Sequence, residues 1–161
     1  MNITEREEEI IDRIGEIRFL RKGIEEIEEY ENLIQELLEG NNIACIPKMC
    51  SVMEDKAMSC STVEQLLEAI LILAQNAENT EEGIEKILEG TREMKNHAED
   101  WARILHIQIL NNEGLLDSYI NCVKEADEIE KKSVLDILNQ IKVRGSLEEK
   151  KVTKVIERII S

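Results

Sequence analysis

Apolar residues that recur at helical spacing constrain the fold of this chain more than any other feature. From Thr4 to Gly40 they return every three or four positions, which keeps them on one face of an α-helix. Thr4 with Glu7 forms a capping box at the start, and Gly40 before two asparagines is typical of a helix end. The spacing predicts one helix of about 34 residues and about 50 Å, with a bend near Gly15 or Gly23, where glycine weakens a helix.

The rest of the chain follows the same period after one interruption. Residues 41–61 hold the only proline and three of the four cysteines, and they predict an irregular connection with one short helical turn at 50–56. Further helices are predicted over 61–77, 79–88, 92–110, 116–143 and 146–160. Three of these begin with a capping pattern, at Ser61/Glu64, Asn79/Glu82 and Ser146/Glu149.

These lengths predict an all-α, up-and-down antiparallel helical bundle of about five or six helices, two of them long, in a single domain spanning residues 1–161. No alternating strand pattern competes with this interpretation. Long helices also pair between protomers, so a homodimer is a second expectation. A monomeric bundle satisfies the same pattern.

Charge is distributed unevenly along the chain. Residues 1–130 hold 31 of the 35 acidic side chains and 12 of the 20 basic ones, whereas residues 131–161 hold 8 basic and 4 acidic. The net charge of −15 disfavours direct contact with nucleic acid or an anionic membrane. The cationic end could dock on the acidic body or on a partner.

The compartment is predicted from what the sequence lacks. The start is charged at once, without the basic-then-apolar order of a signal peptide, and the most apolar stretch, 66–77, is too short to span a bilayer. We expect a cytoplasmic protein with reduced thiols and no cofactor. Cys45, Cys50 and Cys60 are spaced by five and ten residues, unlike a zinc knuckle, and Cys122 could join them only through the fold.

Two residue pairs give an alternative, enzymatic interpretation. Glu93 and His97 stand four apart, so on one helix they could share a metal, although the sequence holds no second copy of this pair. Arg92 and His97 have an Arg-x(4)-His spacing that resembles the nuclease motif of the helical HEPN family. In an intact helix these two side chains point about 140° apart, so they could serve one site only if the helix started at Thr91 and Arg92 swung free of it.

The leading hypothesis is a non-enzymatic interaction protein that binds a basic protein surface as an inhibitor or regulator. Its sharpest form covers a nucleic-acid-binding channel by placing carboxylates where phosphates would lie. The candidate partner-binding residues are Glu25, Glu28 and Glu29 on the first helix and Glu81, Glu85 and Glu89 further on. The alternatives are the small metal-dependent or HEPN-like enzyme and a structural oligomer subunit.

Overall fold

A computed structural model describes residues 2–161, and the regular elements in that range are all helical. Two short 3-10 turns accompany the α-helices, at Ile43–Cys45 and Arg92–Met94. The α-helices are α1 (Glu5–Glu16), α2 (Ile24–Gly40), α3 (Ile46–Ser51), α4 (Cys60–Asn76), α5 (Thr80–Thr91), α6 (Glu99–Leu110), α7 (Glu113–Glu125), α8 (Glu128–Arg144) and α9 (Glu149–Ile160). The prediction of a helical fold is confirmed, but five or six helices was too few for the described chain because both predicted long helices are divided.

The first division lies between Glu16 and Ile24. Leu20 has a φ of +54° and Gly23 a φ of +74°, and these left-handed conformations end α1 and redirect the chain into α2. The bend near Gly23 is therefore a full reversal. It lets α1 and α2 pack on each other and bury the two halves of one apolar stripe.

The second division lies at Ala126 and Asp127, within the helix predicted over 116–143. The Asp127 carboxylate accepts a hydrogen bond from the Glu130 amide at 2.8 Å, so it acts as the N-cap of a new helix. The Asp127/Glu130 spacing resembles the capping patterns found elsewhere in the chain, and it was the signal that the sequence analysis missed.

The other capping predictions had mixed outcomes. Thr4 and Glu7 form the predicted capping box, and the Asn79 side chain accepts from the Glu81 amide. The predictions at Ser61 and Ser146 were wrong, since α4 and α9 begin one and three residues away from the predicted cap positions and lack a side-chain cap. A short helix does occur in the irregular segment, but at Ile46–Ser51.

The chain forms two compact units, residues up to Trp101 and residues Ala102–Ser161. In the first unit α4 is central and packs against α2, α3 and α5. Hydrogen bonds join Gln65 to Glu31 and Asn76 to Asn41, so α2 and α4 run in the same direction. The predicted antiparallel order is wrong for this pair, because residues 41–59 carry the chain back along α2 before α4 begins.

In the second unit α7, α8 and α9 pack against one another around aliphatic side chains. The core includes Leu138, Ile141, Val152, Val155 and Ile159, each buried. Among residues 2–161 no helix is long and apolar enough to cross a membrane. The single-domain organisation stays a prediction.

Candidate partner-binding surface

The negative charge of this protein belongs to its first unit. Residues 1–101 carry 25 acidic and 10 basic side chains, whereas residues 102–161 carry 10 of each. The cationic end of the chain is therefore balanced within its own unit, where Arg158 donates to Asp117 at 3.0 Å. All six predicted partner-binding residues lie in the unit with the excess of carboxylates.

Helix α2 presents an acidic face to solvent. Tyr30, Ile34 and Leu37 are buried on one side of the helix, and Glu25 and Glu28 are exposed on the opposite side. This separation follows from the helical period, which places residues three and four apart on the same face. The structure therefore leaves Glu25 and Glu28 accessible to a partner, as the prediction requires.

Glu29 is placed differently, because it belongs to a ladder of ion pairs between α1 and α2. Arg13 donates to Glu29 at 2.5 and 2.9 Å, and Arg6 donates to Glu36 at 2.7 and 2.9 Å. The hydrogen bonds from Arg13 lower the pKa of Glu29. From one ion pair to the next, the residue number on α1 rises from Arg6 to Arg13 while the number on α2 falls from Glu36 to Glu29. The two helices therefore run antiparallel. Arg13, which also pairs with Glu16 at 3.0 Å, offsets part of the charge of Glu29 within the protein. Glu29 is therefore the weakest of the three predicted contacts on α2.

Helix α5 carries a second acidic face. Glu85 and Glu89 are exposed, and Glu89 pairs loosely with Lys86 at 3.6 Å. Glu81 is only half exposed and has further interactions of its own. Glu82, which the sequence analysis did not select, is exposed. This outer face lies opposite the buried positions of α5, which are Gly83, Ile84, Ile87 and Leu88. The helical spacing of those positions can be read from the sequence.

A cleft of ≈ 500 Å³ lies beside the α5 face, where the C-terminal ends of α2 and α4 meet the start of α5. Its walls combine side-chain amides and carboxylates with one ammonium group, that of Lys86, which pairs with Glu89 outside the cleft at 3.6 Å. The polar residues are Asn41, Asn42, Asn76, Glu78, Glu82 and Lys86. Carboxylates and amide oxygens accept hydrogen bonds from guanidinium and ammonium groups. The cleft can therefore receive a basic side chain. The sequence did not reveal the cleft, because its walls come from segments about 35 residues apart.

Gly83 allows the close approach of α5 to α4 that forms one side of this region. A Cβ at this position would lie 2.4 Å from the Ala74 carbonyl oxygen and 2.8 Å from the Ala74 Cα. Those atoms belong to the backbone of the α4 C-terminus and cannot turn aside. Only glycine permits this helix contact without displacing α5.

Glu7 fixes the loop that follows α2. Its carboxylate accepts from the Thr4 amide and from the Asn42 side chain, both at 2.9 Å. Burial alone would raise the pKa of Glu7, but these hydrogen bonds outweigh that effect and lower it. This buried carboxylate is structural and holds Asn42, a residue of the cleft, in place.

The helix required by the enzymatic alternatives is interrupted. Helix α5 ends at Thr91, and α6 begins at Glu99, so Glu93 and His97 do not stand on one continuous helix. The two ring nitrogens of His97 lie 2.9 Å from the Ser51 carbonyl oxygen and 3.2 Å from that of Lys95. Glu93 and His97 therefore do not share one helix face, and Thr91 ends a helix where the Arg92/His97 interpretation requires one to begin.

The other reactive side chains are dispersed or buried. None of the four cysteines, all of which the structure describes, forms a disulfide: Cys45, Cys50 and Cys122 are buried and Cys60 is exposed. Burial raises the pKa of Cys50 to about 12. His106 lies fully inside the second unit, with Nδ1 2.7 Å from the Tyr119 hydroxyl. Within residues 2–161, no three His, Cys, Asp or Glu side chains converge as metal ligands would.

The fold and this surface define an acidic helical protein with exposed carboxylates on α2 and α5. The sequence profile of the Immunity protein 30 family matches residues 16–119, about two thirds of the chain. The chain therefore belongs to the Immunity protein 30 family. No curated protein and no solved structure matches it. Family membership supports the inhibitor class of function, since immunity proteins typically bind a partner toxin.

Proposed function

We propose that this protein neutralises a partner toxin by covering a basic surface of that toxin with the acidic faces of α2 and α5. The observation that carries the proposal is the concentration of charge in the first unit, 25 acidic against 10 basic side chains. The family match lies mostly within the same unit.

The contact residues on α2 are Glu25 and Glu28, which stand exposed on the side opposite the core. Glu29 contributes less, since Arg13 already offsets part of its charge. A carboxylate fixed on a helix costs little to orient on binding, and complementary charge speeds encounter while it excludes wrong partners.

The contact residues on α5 are Glu85 and Glu89, with Glu81 at the margin. To these we add Glu78 and Glu82 in the neighbouring cleft. The acidic face of α5 binds a broad basic surface of the toxin, and the cleft binds one basic side chain from that surface. A toxin that acts on nucleic acid would carry such a surface in its substrate channel, where carboxylates of the inhibitor would replace phosphates.

The test begins with the toxin that co-purifies with this protein from its native host, identified by mass spectrometry and then purified. The double variant Glu25→Lys/Glu28→Lys should bind that toxin at least about tenfold more weakly both at low salt and at physiological salt, since contacts at the centre of an interface dominate its energy. Its ability to restore growth of cells that express the toxin should fall in parallel.

The matched control is Glu125→Lys/Asp136→Lys, which makes the same change of net charge at exposed positions of the second unit. We expect this control to bind within about twofold of the wild type at physiological salt, where distant charges are screened. If both double variants bind like the wild type at low salt, the acidic α2 face does not contact the toxin. If both weaken equally, only the overall charge matters.

The homodimer and the cytoplasmic location stay predictions. Sedimentation of the purified protein at rising concentration tests the homodimer, and fractionation of the native host tests the location.

A further inference from the structure

The acidic unit contains a small region where basic side chains lack carboxylate partners. Five cations of this unit form ion pairs: Arg6, Arg13, Arg18, Lys48 and Lys86. Arg21, Lys22, Lys56 and Lys95 form no ion pair with the residues that the structure describes. Three of these four lie on two adjoining turns, residues 17–23 and 52–59.

The two turns are held together by direct contacts. The Met58 amide donates to the Phe19 carbonyl at 2.9 Å, and Arg18 donates to the buried Glu54 carboxylate at 3.3 Å. The Trp101 indole in turn donates to the Glu54 carbonyl at 3.1 Å. Each turn is therefore tied to the other through backbone or buried groups.

Phe19 stands at the centre of the region. The guanidinium carbons of Arg18 and Arg21 lie 4.5 and 4.4 Å from the centroid of its ring, close enough for cation–π attraction. Leu20, at a φ of +54°, turns its own side chain into the core and leaves its two neighbours outside it. A left-handed non-glycine residue costs stability and persists where the surrounding structure requires it.

An apolar anchor and a hollow complete the region. Met58 is 75% exposed, and methionine adapts its shape to a binding partner. A hollow of ≈ 160 Å³ opens beside Phe19 and Arg21. Two carboxylates also line it: Glu16 shares Arg13 with Glu29, and Glu26 accepts from the Lys22 backbone amide at 2.9 Å.

We infer that this region, which we call the Phe19 surface (Phe19, Arg21, Lys22, Lys56 and Met58), binds an acidic segment of the toxin that carries an apolar side chain. The carboxylates of that segment meet the three unpaired cations, and its apolar side chain packs on Met58 and the Phe19 ring. The inference rests on the proposed function, because the toxin is the partner.

Charge complementarity selects this occupant. A basic part of the toxin fits the faces of α2 and α5, yet the same basic part would be repelled by Arg21, Lys22 and Lys56. Only an acidic part of the toxin can lie on the Phe19 surface, so contacts of opposite sign fix the orientation of the complex. In a wrong orientation, basic groups of the toxin would lie against these cations and weaken binding, so the complex is specific for one orientation.

The experiment measures the affinity of the purified toxin for Arg21→Glu and for Met58→Ser in the full-length protein. We expect Arg21→Glu to weaken binding at least about tenfold and Met58→Ser about threefold or more. The control is Lys124→Glu, which reverses an exposed cation of the second unit and should bind within about twofold of the wild type at physiological salt. Circular dichroism and urea unfolding of each variant show that the fold is retained.

Several outcomes would overturn this inference. Binding of Arg21→Glu that equals or exceeds that of the wild type means that no acidic segment lies on the surface. Concentration-dependent sedimentation that Met58→Ser abolishes means that a second copy of the chain covers it, and binding of single-stranded RNA that Arg21→Glu abolishes means that its ligand is a phosphate backbone. If the wild type binds no toxin at all, the proposed function fails before this surface is tested.

Discussion

Protonation of His106 should destabilise the protein between pH 6.5 and pH 4. Burial lowers the pKa of His106 from 6.5 to about 4, because a charged imidazole inside the second unit would lose its hydration. The unfolded chain therefore takes up a proton at a higher pH than the folded chain does. Stability that depends on neutral His106 is fully present above pH 6.5, falls as the pH drops, and levels off below about 4.

The magnitude follows from the separation of the two pKa values. Within that range, each decrease of one pH unit removes about 1.4 kcal/mol from the free energy of unfolding. The loss is therefore about 2 kcal/mol at pH 5 and about 3 kcal/mol below pH 4. Above pH 5 most carboxylates are still ionised, so this upper part of the range reports mainly on histidine.

The assay is urea unfolding followed by circular dichroism at pH 7.0, 6.0 and 5.0. Hydrogen exchange of the amides in α7 assigns the loss to the second unit, where His106 contacts Tyr119. The variant His106→Gln should be less stable than the wild type at pH 7 but should lose the slope between pH 7 and 5. The variant His97→Gln, at a half-exposed position, should keep it. A wild-type stability that is flat over this range, or a slope unchanged by His106→Gln, would refute the reasoning.

Two further predictions concern packing and exposure. Gly83→Ala should destabilise the protein by about 1–3 kcal/mol, because the added Cβ would meet the Ala74 backbone at 2.4 Å. In the control Gly114→Ala the added Cβ would meet only a side-chain oxygen at 3.3 Å, so the free energy of unfolding should change by less than about 1 kcal/mol. Urea unfolding measures both variants, and equal effects would contradict the close contact at Gly83. Iodoacetamide at pH 8 should alkylate Cys60 in the folded protein and leave Cys50 unmodified, because Cys50 is buried and its pKa is raised to about 12. Mass spectrometry of the digested protein reads out both thiols, and rapid labelling of Cys50 without denaturant would show that α3 opens.

The acidic face of α2 shows how far sequence periodicity reaches into the candidate site. The spacing of Tyr30, Ile34 and Leu37 determined which side of the helix is buried and therefore that Glu25 and Glu28 face solvent. The same argument failed for Glu29. Its pairing with Arg13 exists only because α1 folds back along α2, and a continuous helix would have kept these two residues far apart.

The divided helices show the limit on predicting the fold. The apolar spacing continues through residues 17–23 although the helix ends there. It reflects only which residues are buried, and apolar residues of both α1 and α2 are buried. Whether a glycine bends a helix or reverses it depends on what packs against the two halves. Here the reversal buries one half against the other, a gain that local propensity does not contain.

The sequence by itself determined the helical class, the solvent-facing carboxylates and the excess of negative charge, because these follow from the helical period and from composition. Only the tertiary structure decided which carboxylates are paired with cations, where the cleft lies, and that Arg21, Lys22 and Lys56 adjoin Met58 on the Phe19 surface. Those features join residues distant in sequence, and their positions depend on where the chain reverses and how closely its helices approach.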